Sequence, residues 1–174
     1  MPKSYKVYLK DIRVFVFDVD GVLTDGSVLI TSQGEQLRKM SISDGYALKS
    51  ALQKGYYVCA ISGGNNPGVK ERLRDLGVTD IYLNIRHKGD QLQEYLEING
   101  LDPDTVMYMG DDIPDIPAMQ QVALPACPQN AAPEVKEISR YVSHKSGGEG
   151  CVRDIIEQVL KVRGDWNGNY DAKD

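Results

Sequence analysis

Two aspartates follow an apolar run near the start of this chain, in the stretch VFVFDVDGVLTDG at residues 14–26. Asp18 and Asp20 are two positions apart, so on an extended strand their side chains would project to the same face, about 7 Å from each other. Two carboxylates at the end of a buried strand are costly unless a cation compensates their charge. The stretch therefore predicts a site that holds a metal ion or another positive group.

A second acidic group follows a later apolar run, in the stretch YMGDDIPDIP. It contributes Asp111, Asp112 and Asp115, and in a parallel sheet both acidic turns lie at the same carboxyl edge. Several hard oxygen ligands of this kind favour Mg²⁺. Aspartates also cap helices and form turns, and Asp112 or Asp115 could do only that. Capping explains one acidic cluster well, but two clusters after two buried strands favour a metal site.

Two further segments supply groups that bind phosphate. The stretch AISGGNN places Ser62 at the end of an apolar run, and the backbone of Gly63 and Gly64 can approach an anion closely. Lys88 opens a later helix and adds a fixed positive charge. A hydroxyl, backbone N–H groups, an ammonium and a metal ion together meet the needs of a phosphoryl group.

The segments that carry these residues alternate between strands and helices. Nearly continuous apolar runs indicate strands that are covered on both faces, as in a parallel sheet. The order predicts an α/β fold with a single doubly wound, Rossmann-like parallel sheet, whose ligands bind beyond the carboxyl ends of the strands. The strands are predicted at 13–19, 57–62, 80–84 and 105–110, and the helices at 44–54, 67–77, 88–100 and 150–162.

A predicted β-hairpin over about 27–42, with its turn at Gly34, interrupts the alternation directly after the first strand. Its first arm, at 28–30, is apolar, so a solitary hairpin would leave hydrophobic surface exposed. We therefore expect the hairpin to make a subunit contact.

Composition narrows the classes of protein that remain. The 174 residues fit one domain, predicted over 1–163, with a polar tail at 164–174. A net charge of −5 argues against nucleic acid as the main partner, and no apolar run is long enough to span a bilayer. Three widely spaced cysteines match neither a zinc site nor a disulfide framework. We expect a cytoplasmic protein that binds neither nucleic acid nor a membrane.

The ordered set DVDGVLTD, ISGG, Lys88 and GDDIPD resembles the four motifs of the haloacid dehalogenase-type (HAD) phosphatases. The resemblance implies that Asp18 attacks phosphorus and forms an aspartyl-phosphate. It also implies that Asp20 protonates the leaving alcohol and later deprotonates water. An aspartate is a competent covalent nucleophile toward phosphorus, because it splits one difficult displacement into two easier ones.

The same resemblance implies a metal site and a phosphate site. A Mg²⁺ ion would be held by Asp18, the main-chain carbonyl of Asp20 and Asp111. Ser62 and Lys88 would hold the phosphoryl oxygens. Asp112 or Asp115 would support the metal-bound water or Lys88.

The segments 21–61 and 63–87 are too short for a separate cap domain, because a hairpin, helices and a strand occupy them. The active site of a monomer would then be open, so either the substrate is large or a neighbouring subunit closes the cleft. The stretches FDVDGVLTDG, DGYALK and GGEGCVRDIIE are similar to the capless tetrameric phosphatases of 3-deoxy-D-manno-octulosonate 8-phosphate, over about residues 10–163.

This finer resemblance implies a homotetramer built by the hairpin, and a glycine-rich motif near the carboxyl terminus that reaches a neighbouring active site. It implies a sugar-acid phosphate as substrate and a role in lipopolysaccharide sugar synthesis. The implied substrate contacts are Ser41, Ile42, Ser43, Asp44, Gly45, Lys49, Gly63, Gly64, Arg72, Lys88 and Arg153.

Two positions depart from that family's pattern, because Gly64 and Lys49 stand where arginine is expected. Neither side chain reproduces the bidentate recognition of a carboxylate by a guanidinium. A nine-carbon sugar acid 9-phosphate and a broad range of sugar phosphates therefore remain alternative substrates.

Alternatives from other classes fit the motif order less well. A signalling receiver also combines an acidic cluster, a hydroxyl and a lysine, but its acidic pair normally consists of adjacent residues after the first strand. A dehalogenase or phosphonatase would also use Asp18, but Asp20 suits the protonation of an alcohol leaving group. A catalytically silent phospho-ligand binding protein is the remaining non-enzyme alternative.

Overall fold

The computed structural model describes residues 3–166 and consists of strands and helices in alternation. The strands are Val14–Phe17 (β1), Leu29–Ile30 (β2), Gln36–Leu37 (β3), Tyr57–Ile61 (β4), Asp80–Tyr82 (β5), Val106–Met109 (β6), Leu124–Cys127 (β7) and Tyr141–Val142 (β8). The α-helices are Lys6–Leu9 (α1), Ile42–Gln53 (α2), Pro67–Asp75 (α3), Lys88–Asn99 (α4), Ile116–Met119 (α5), Pro133–Ile138 (α6) and Cys151–Val162 (α7).

Six strands form one parallel sheet in the order β5-β4-β1-β6-β7-β8. The residues of β1 alternate between two cores: Phe15 and Phe17 face helices α2, α3 and α7, whereas Val14 and Val16 face α4, α5 and α6. All four residues of β1 are buried, as expected for a central strand covered on both faces. The predicted doubly wound α/β fold is confirmed.

The predicted elements are correct in type, and most of their bounds differ by one or two residues. The first strand is shorter than predicted, since β1 ends at Phe17 and the chain turns at Asp18. Gly100 caps α4 in the left-handed conformation (φ +61°), which is common for a glycine at the end of a helix. Strand β7 was missed because Pro125 lies inside it, and proline argues against a central strand.

The predicted hairpin is also present, although each arm contains only two paired residues. Leu29 pairs with Leu37 and Ile30 pairs with Gln36 in antiparallel register, and Gly34 provides the turn at φ +84°. Between β1 and β4 lie only a tight turn, this hairpin and α2, and between β4 and β5 lies only α3. Residues 3–166 therefore contain no cap domain, and the cleft above the sheet is open.

The amino-terminal part of the predicted tail packs on the domain. Trp166 lies against the hydrophobic core that includes Phe15, and Asp165 accepts a hydrogen bond from the hydroxyl of Tyr56 at 2.6 Å. The rest of the tail lies outside the described residues. Among the helices in residues 3–166, none has both the length and the apolar character that a membrane crossing requires.

Candidate active site

The turn after β1 places the first acidic pair. Asp18 caps a single turn over Val19–Leu23 and accepts a hydrogen bond from the backbone N–H of Val19 at 2.7 Å. Because the chain bends here, Asp18 and Asp20 do not continue the straight course of β1. Both residues nevertheless line the same cleft.

A glycine makes this turn possible. Gly21 has φ +90°, and a Cβ at that position would lie 2.0 Å from Asp111 Oδ2, so any side chain would displace the carboxylate. The glycine-rich motif at 147–150 packs against the same turn within this chain, where the N–H of Gly148 donates to the carbonyl of Val22 at 3.0 Å. The glycine-rich motif therefore stabilises the turn that carries Asp18 and Asp20.

The turn after β6 places the second acidic group. Asp112 caps the short helical turn Ile113–Asp115, which is the structural role the sequence left open for it. Asp115 is fully buried, and both of its carboxylate oxygens are occupied. Its donors are Lys88 Nζ and the Tyr108 hydroxyl on Oδ1, and the N–H groups of Asp111 and Asp112 on Oδ2.

Lys88 is the first residue of α4, and its buried ammonium joins the two acidic groups. Its Nζ lies 2.8 Å from Asp18 Oδ1 and 2.8 Å from Asp115 Oδ1. Burial lowers the pKa of Lys88, but the two adjacent carboxylates outweigh burial and raise that pKa above its ordinary value. The ammonium is therefore a fixed positive charge in the cleft.

The cleft also shifts the pKa values of Asp18 and Asp111. Burial raises the pKa of Asp18 well above its ordinary value, and the charge of Asp115 adds to this, although Lys88 opposes it. Burial likewise raises the pKa of Asp111 to about 6. Carboxylate oxygens of Asp18, Asp111 and Asp115 lie within 4.8 Å of one another. Since Asp115 is already saturated, Asp18 and Asp111 are the oxygen donors that fit a hard divalent cation.

The end of β4 supplies the predicted phosphate-binding groups. Ser62 is buried, and its Oγ accepts a hydrogen bond from the N–H of Gly64 at 3.1 Å. One cleft of about 460 Å³ brings together the predicted catalytic and metal residues. It is lined by Asp18, Asp20, Gly26, Ser62, Gly63, Gly64, Ile85, Arg86, Lys88, Asp111, Asp112, Pro114 and Asp115.

The other predicted substrate contacts lie outside this cleft. Most of them are on α2: Ser41 caps that helix, Ile42 and Ser43 are exposed, and Gly45 and Lys49 follow along it. Gly45 and Arg72 are neighbours, since a Cβ at Gly45 would lie 2.8 Å from an Arg72 guanidinium nitrogen. Arg72 belongs to a separate groove of about 420 Å³, lined by Leu37, Arg38, Met40, Asn66, Gly68, Val69 and Arg72.

Asp44 and Arg153 meet at the start of α7. Asp44 is 1% exposed, and its Oδ1 accepts a hydrogen bond from the N–H of Arg153 at 2.9 Å, while its Oδ2 has no hydrogen-bond partner among the described residues. Burial raises the pKa of Asp44 to about 6, against the opposing effect of the N–H groups of Arg153 and Gly150. In this single chain, Asp44 therefore joins α2 to α7.

Sequence reasoning missed two cations at the cleft. Arg86 lines it from the loop between β5 and α4, and Arg38 reaches it from the hairpin, where its Nε donates to Asp20 Oδ1 at 3.1 Å. The available signal was weak: Arg38 follows the exposed Leu37, and alternation along a strand turns neighbouring side chains to opposite faces.

The parallel sheet and its acidic cleft define the class of protein. A family model described as haloacid dehalogenase-like hydrolase matches residues 78–155. The 3-deoxy-D-manno-octulosonate 8-phosphate phosphatase KdsC of Salmonella typhi is 34% identical over 165 residues, which cover 94% of this chain and 88% of that protein. The chain therefore belongs to the haloacid dehalogenase-like hydrolases, and within them to the family of the KdsC phosphatases.

Solved structures agree with this assignment. The 3-deoxy-D-manno-octulosonate 8-phosphate phosphatase of Yersinia pestis superposes with a TM-score of 0.92 at 30% identity, over 97% of this chain and 91% of that chain. The corresponding enzyme of Moraxella catarrhalis, in complex with a magnesium ion, a phosphate ion and a KDO molecule, gives a TM-score of 0.90 at 28% identity, over 93% of each chain. The predicted resemblance is confirmed.

Proposed function

We propose that this protein is a phosphomonoester hydrolase that removes phosphate from 3-deoxy-D-manno-octulosonate 8-phosphate. One observation carries the proposal: Lys88 Nζ lies 2.8 Å from both Asp18 and Asp115, in the cleft that also contains Asp20 and Ser62. An anionic phosphate can approach a carboxylate nucleophile only where fixed positive charge reduces their repulsion. The family of the chain supports the same reaction.

The first step transfers the phosphoryl group to the protein. An Asp18 carboxylate oxygen forms a bond to phosphorus, the bond from phosphorus to the ester oxygen breaks, and the electron pair stays on that oxygen. Asp20 gives its proton to the same oxygen, so the sugar acid leaves as an alcohol. Ser62 and Lys88 hold the phosphoryl oxygens during the transfer.

The second step releases inorganic phosphate. Asp20 is now a carboxylate and takes a proton from a water molecule whose oxygen attacks phosphorus. The bond from phosphorus to Asp18 breaks and restores the Asp18 carboxylate. Asp20 is protonated again at the end of the step, so protons balance over the cycle.

The donor set of the cleft fits Mg²⁺. The ion would be held by Asp18, Asp111 and the main-chain carbonyl of Asp20, while Asp112 and Asp115 would support the metal-bound water or Lys88. Mg²⁺, when bound, neutralises negative charge on the phosphate and on the carboxylates. The geometry supports this assignment, because carboxylate oxygens of Asp18, Asp111 and Asp115 lie within 4.8 Å of one another.

The sugar acid extends from the cleft toward the groove between the hairpin and α3. Arg72 lines this groove and supplies a guanidinium group for the carboxylate of the substrate, so that Gly64 need not do so. The contacts predicted on α2 and at Arg153 do not line the cleft of the same chain. They would reach substrate only in an assembly.

Assembly through the hairpin forms part of the proposal. Leu29 is 68% exposed and Ile30 is 65% exposed, so both leave apolar surface that further copies of the chain would cover in a homotetramer. We also place the protein in the cytoplasm, because Cys59, Cys127 and Cys151 are buried free thiols, as is usual in a reducing compartment.

The test measures Mg²⁺-dependent phosphate release from three kinds of substrate. They are the eight-carbon acid 8-phosphate, nine-carbon acid 9-phosphates and hexose phosphates. The proposal predicts a kcat/KM for the eight-carbon acid at least about 100-fold above that for hexose phosphates, since a carboxylate contact is worth a few kcal/mol. A preference for a nine-carbon acid, or equal rates across the panel, would overturn the substrate assignment. Absence of turnover on every ester would overturn the hydrolase assignment itself.

A further inference from the structure

Arg38 differs from the exposed residues of the two paired arms, because most of its side chain is covered. The neighbouring Leu37 is 48% exposed, whereas the Arg38 side chain is only 11% exposed. Its Nε donates to Asp20 Oδ1 at 3.1 Å, and its Nη1 donates to the main-chain carbonyl of Gln36 at 3.0 Å. One guanidinium thus joins the hairpin backbone to a carboxylate in the cleft.

A second hydrogen bond fixes the same part of the hairpin. Asn66 Nδ2 donates to the Gln36 carbonyl at 2.8 Å, and Asn66 Oδ1 accepts from the N–H of Val69 as the cap of α3. The Gln36 carbonyl therefore receives donors from Arg38 and from the start of α3. This arrangement holds the guanidinium in one place, since both its own strand and a neighbouring helix restrain it.

The surroundings of Gly64 show which of the two Asp20 carboxylate oxygens is available for proton transfer. A Cβ at Gly64 would lie 3.1 Å from Asp20 Oδ2, 3.5 Å from Ser62 Oγ and 3.8 Å from an Arg38 terminal nitrogen. Arg38 binds Oδ1, while Oδ2 lies on the side of Gly64 and Ser62, where the phosphoryl group is proposed to bind. Gly64 has no side chain to fill the space beside Asp20 Oδ2, and the Arg38 guanidinium lies next to that space.

We propose that Arg38 is a positioning residue for Asp20, which it orients so that Oδ2 exchanges the proton with the ester oxygen and with water. This inference rests on the proposed hydrolysis. A carboxyl group that rotates freely about its last bond would present its proton in the required direction only part of the time. A fixed hydrogen bond to Oδ1 removes that rotation before substrate arrives.

Leaving-group dependence separates this role from the alternatives. Protonation matters for a sugar or glycerol alkoxide, which is a poor leaving group, but hardly for p-nitrophenolate, which departs without a proton. The quantity to measure is kcat/KM, which covers the steps up to phosphoryl transfer. Three esters are compared with Mg²⁺ present: the eight-carbon acid 8-phosphate, glycerol phosphate and p-nitrophenyl phosphate.

The variants are Arg38→Met, Arg38→Lys and the control Arg74→Met, which removes an exposed arginine from α3. The proposal predicts that Arg38→Met lowers kcat/KM at least about 10-fold for both alkyl esters and less than about 3-fold for p-nitrophenyl phosphate. Arg38→Lys should recover part of the loss, and Arg74→Met should change none of the three values.

Other outcomes would overturn the proposal in distinguishable ways. An equal loss for all three esters would assign Arg38 to the fold or to the phosphoryl group. A loss confined to the sugar acid would assign it to the substrate carboxylate. Wild-type protein without activity on any ester would contradict the hydrolysis itself, before any variant is compared.

Discussion

Lys88 and Asp18 come from different elements of the fold, and their charged atoms meet 2.8 Å apart inside the cleft. Lys88 opens α4 and Asp18 follows β1, and both side chains are less than 10% exposed. Removing one partner of a buried ion pair leaves the other as an uncompensated charge, and this costs more than losing an exposed pair.

We therefore expect Lys88→Met to lower the free energy of unfolding by about 3–5 kcal/mol and to reduce phosphate release at least about 100-fold. Urea unfolding and a steady-state assay measure the two effects. Lys161→Met is the matched control, because Lys161 pairs with Glu157 at the surface and its loss should cost at most about 1 kcal/mol. A Lys88→Met protein as stable and active as the wild type would contradict this account.

A substitution at Gly21 tests how closely the turn after β1 approaches Asp111. Alanine at this position would place its Cβ 2.0 Å from Asp111 Oδ2, so Asp111 would have to move and activity should fall at least about 100-fold. Gly55→Ala is the control, since Gly55 also has a positive φ (+85°) but nothing lies within 4 Å of its Cβ position. Both variants should lose about 1 kcal/mol of stability from backbone strain. Equal activities in the two variants would argue against the assigned role of Asp111.

Asp44 should make stability depend on pH. The folded chain retains the Asp44 proton up to about pH 6, whereas the unfolded chain releases it near the ordinary value of 3.8. The folded state therefore binds more protons between these values, and the contribution of Asp44 to stability is lost as pH rises. Relative to Asp44→Asn, the wild type should lose about 2 kcal/mol between pH 4 and pH 7 in urea unfolding. A difference that stays constant or grows with pH would contradict the raised pKa.

The apolar hairpin tests the proposed assembly. The double substitution Leu29→Glu and Ile30→Glu should dissociate the oligomer, because it would bury charges in the interface. Sedimentation velocity should then show species smaller than the wild-type oligomer. Ile98→Glu is the control, since Ile98 is 71% exposed but lies on α4. Wild-type protein that sediments as a monomer, or an oligomer unaffected by the glutamates, would exclude the hairpin as the assembly surface.

Local patterns predicted much of the fold and of the cleft. Apolar runs followed by acidic, Ser-Gly-Gly or lysine residues identified the strand ends, because the carboxyl ends of parallel strands share one edge. The pattern could not reveal that Arg38 reaches Asp20, since that contact depends on how a hairpin folds back over the sheet. Nor could it reveal that Asp44 accepts a hydrogen bond from the N–H of Arg153, because an acidic residue in the first turn of a helix normally interacts with the N-terminus of that same helix.

In the proposed reaction, Asp18 carries the phosphoryl group between the two steps. The direct measurement is acid quenching of the protein during turnover of the eight-carbon acid 8-phosphate with Mg²⁺, followed by mass spectrometry of the peptides. The account predicts one phosphoryl group on Asp18 in the wild type, and neither label nor turnover in Asp18→Asn, with Asp90→Asn behaving as the wild type. Label on Asp20 or Ser62, or full turnover in Asp18→Asn, would contradict it.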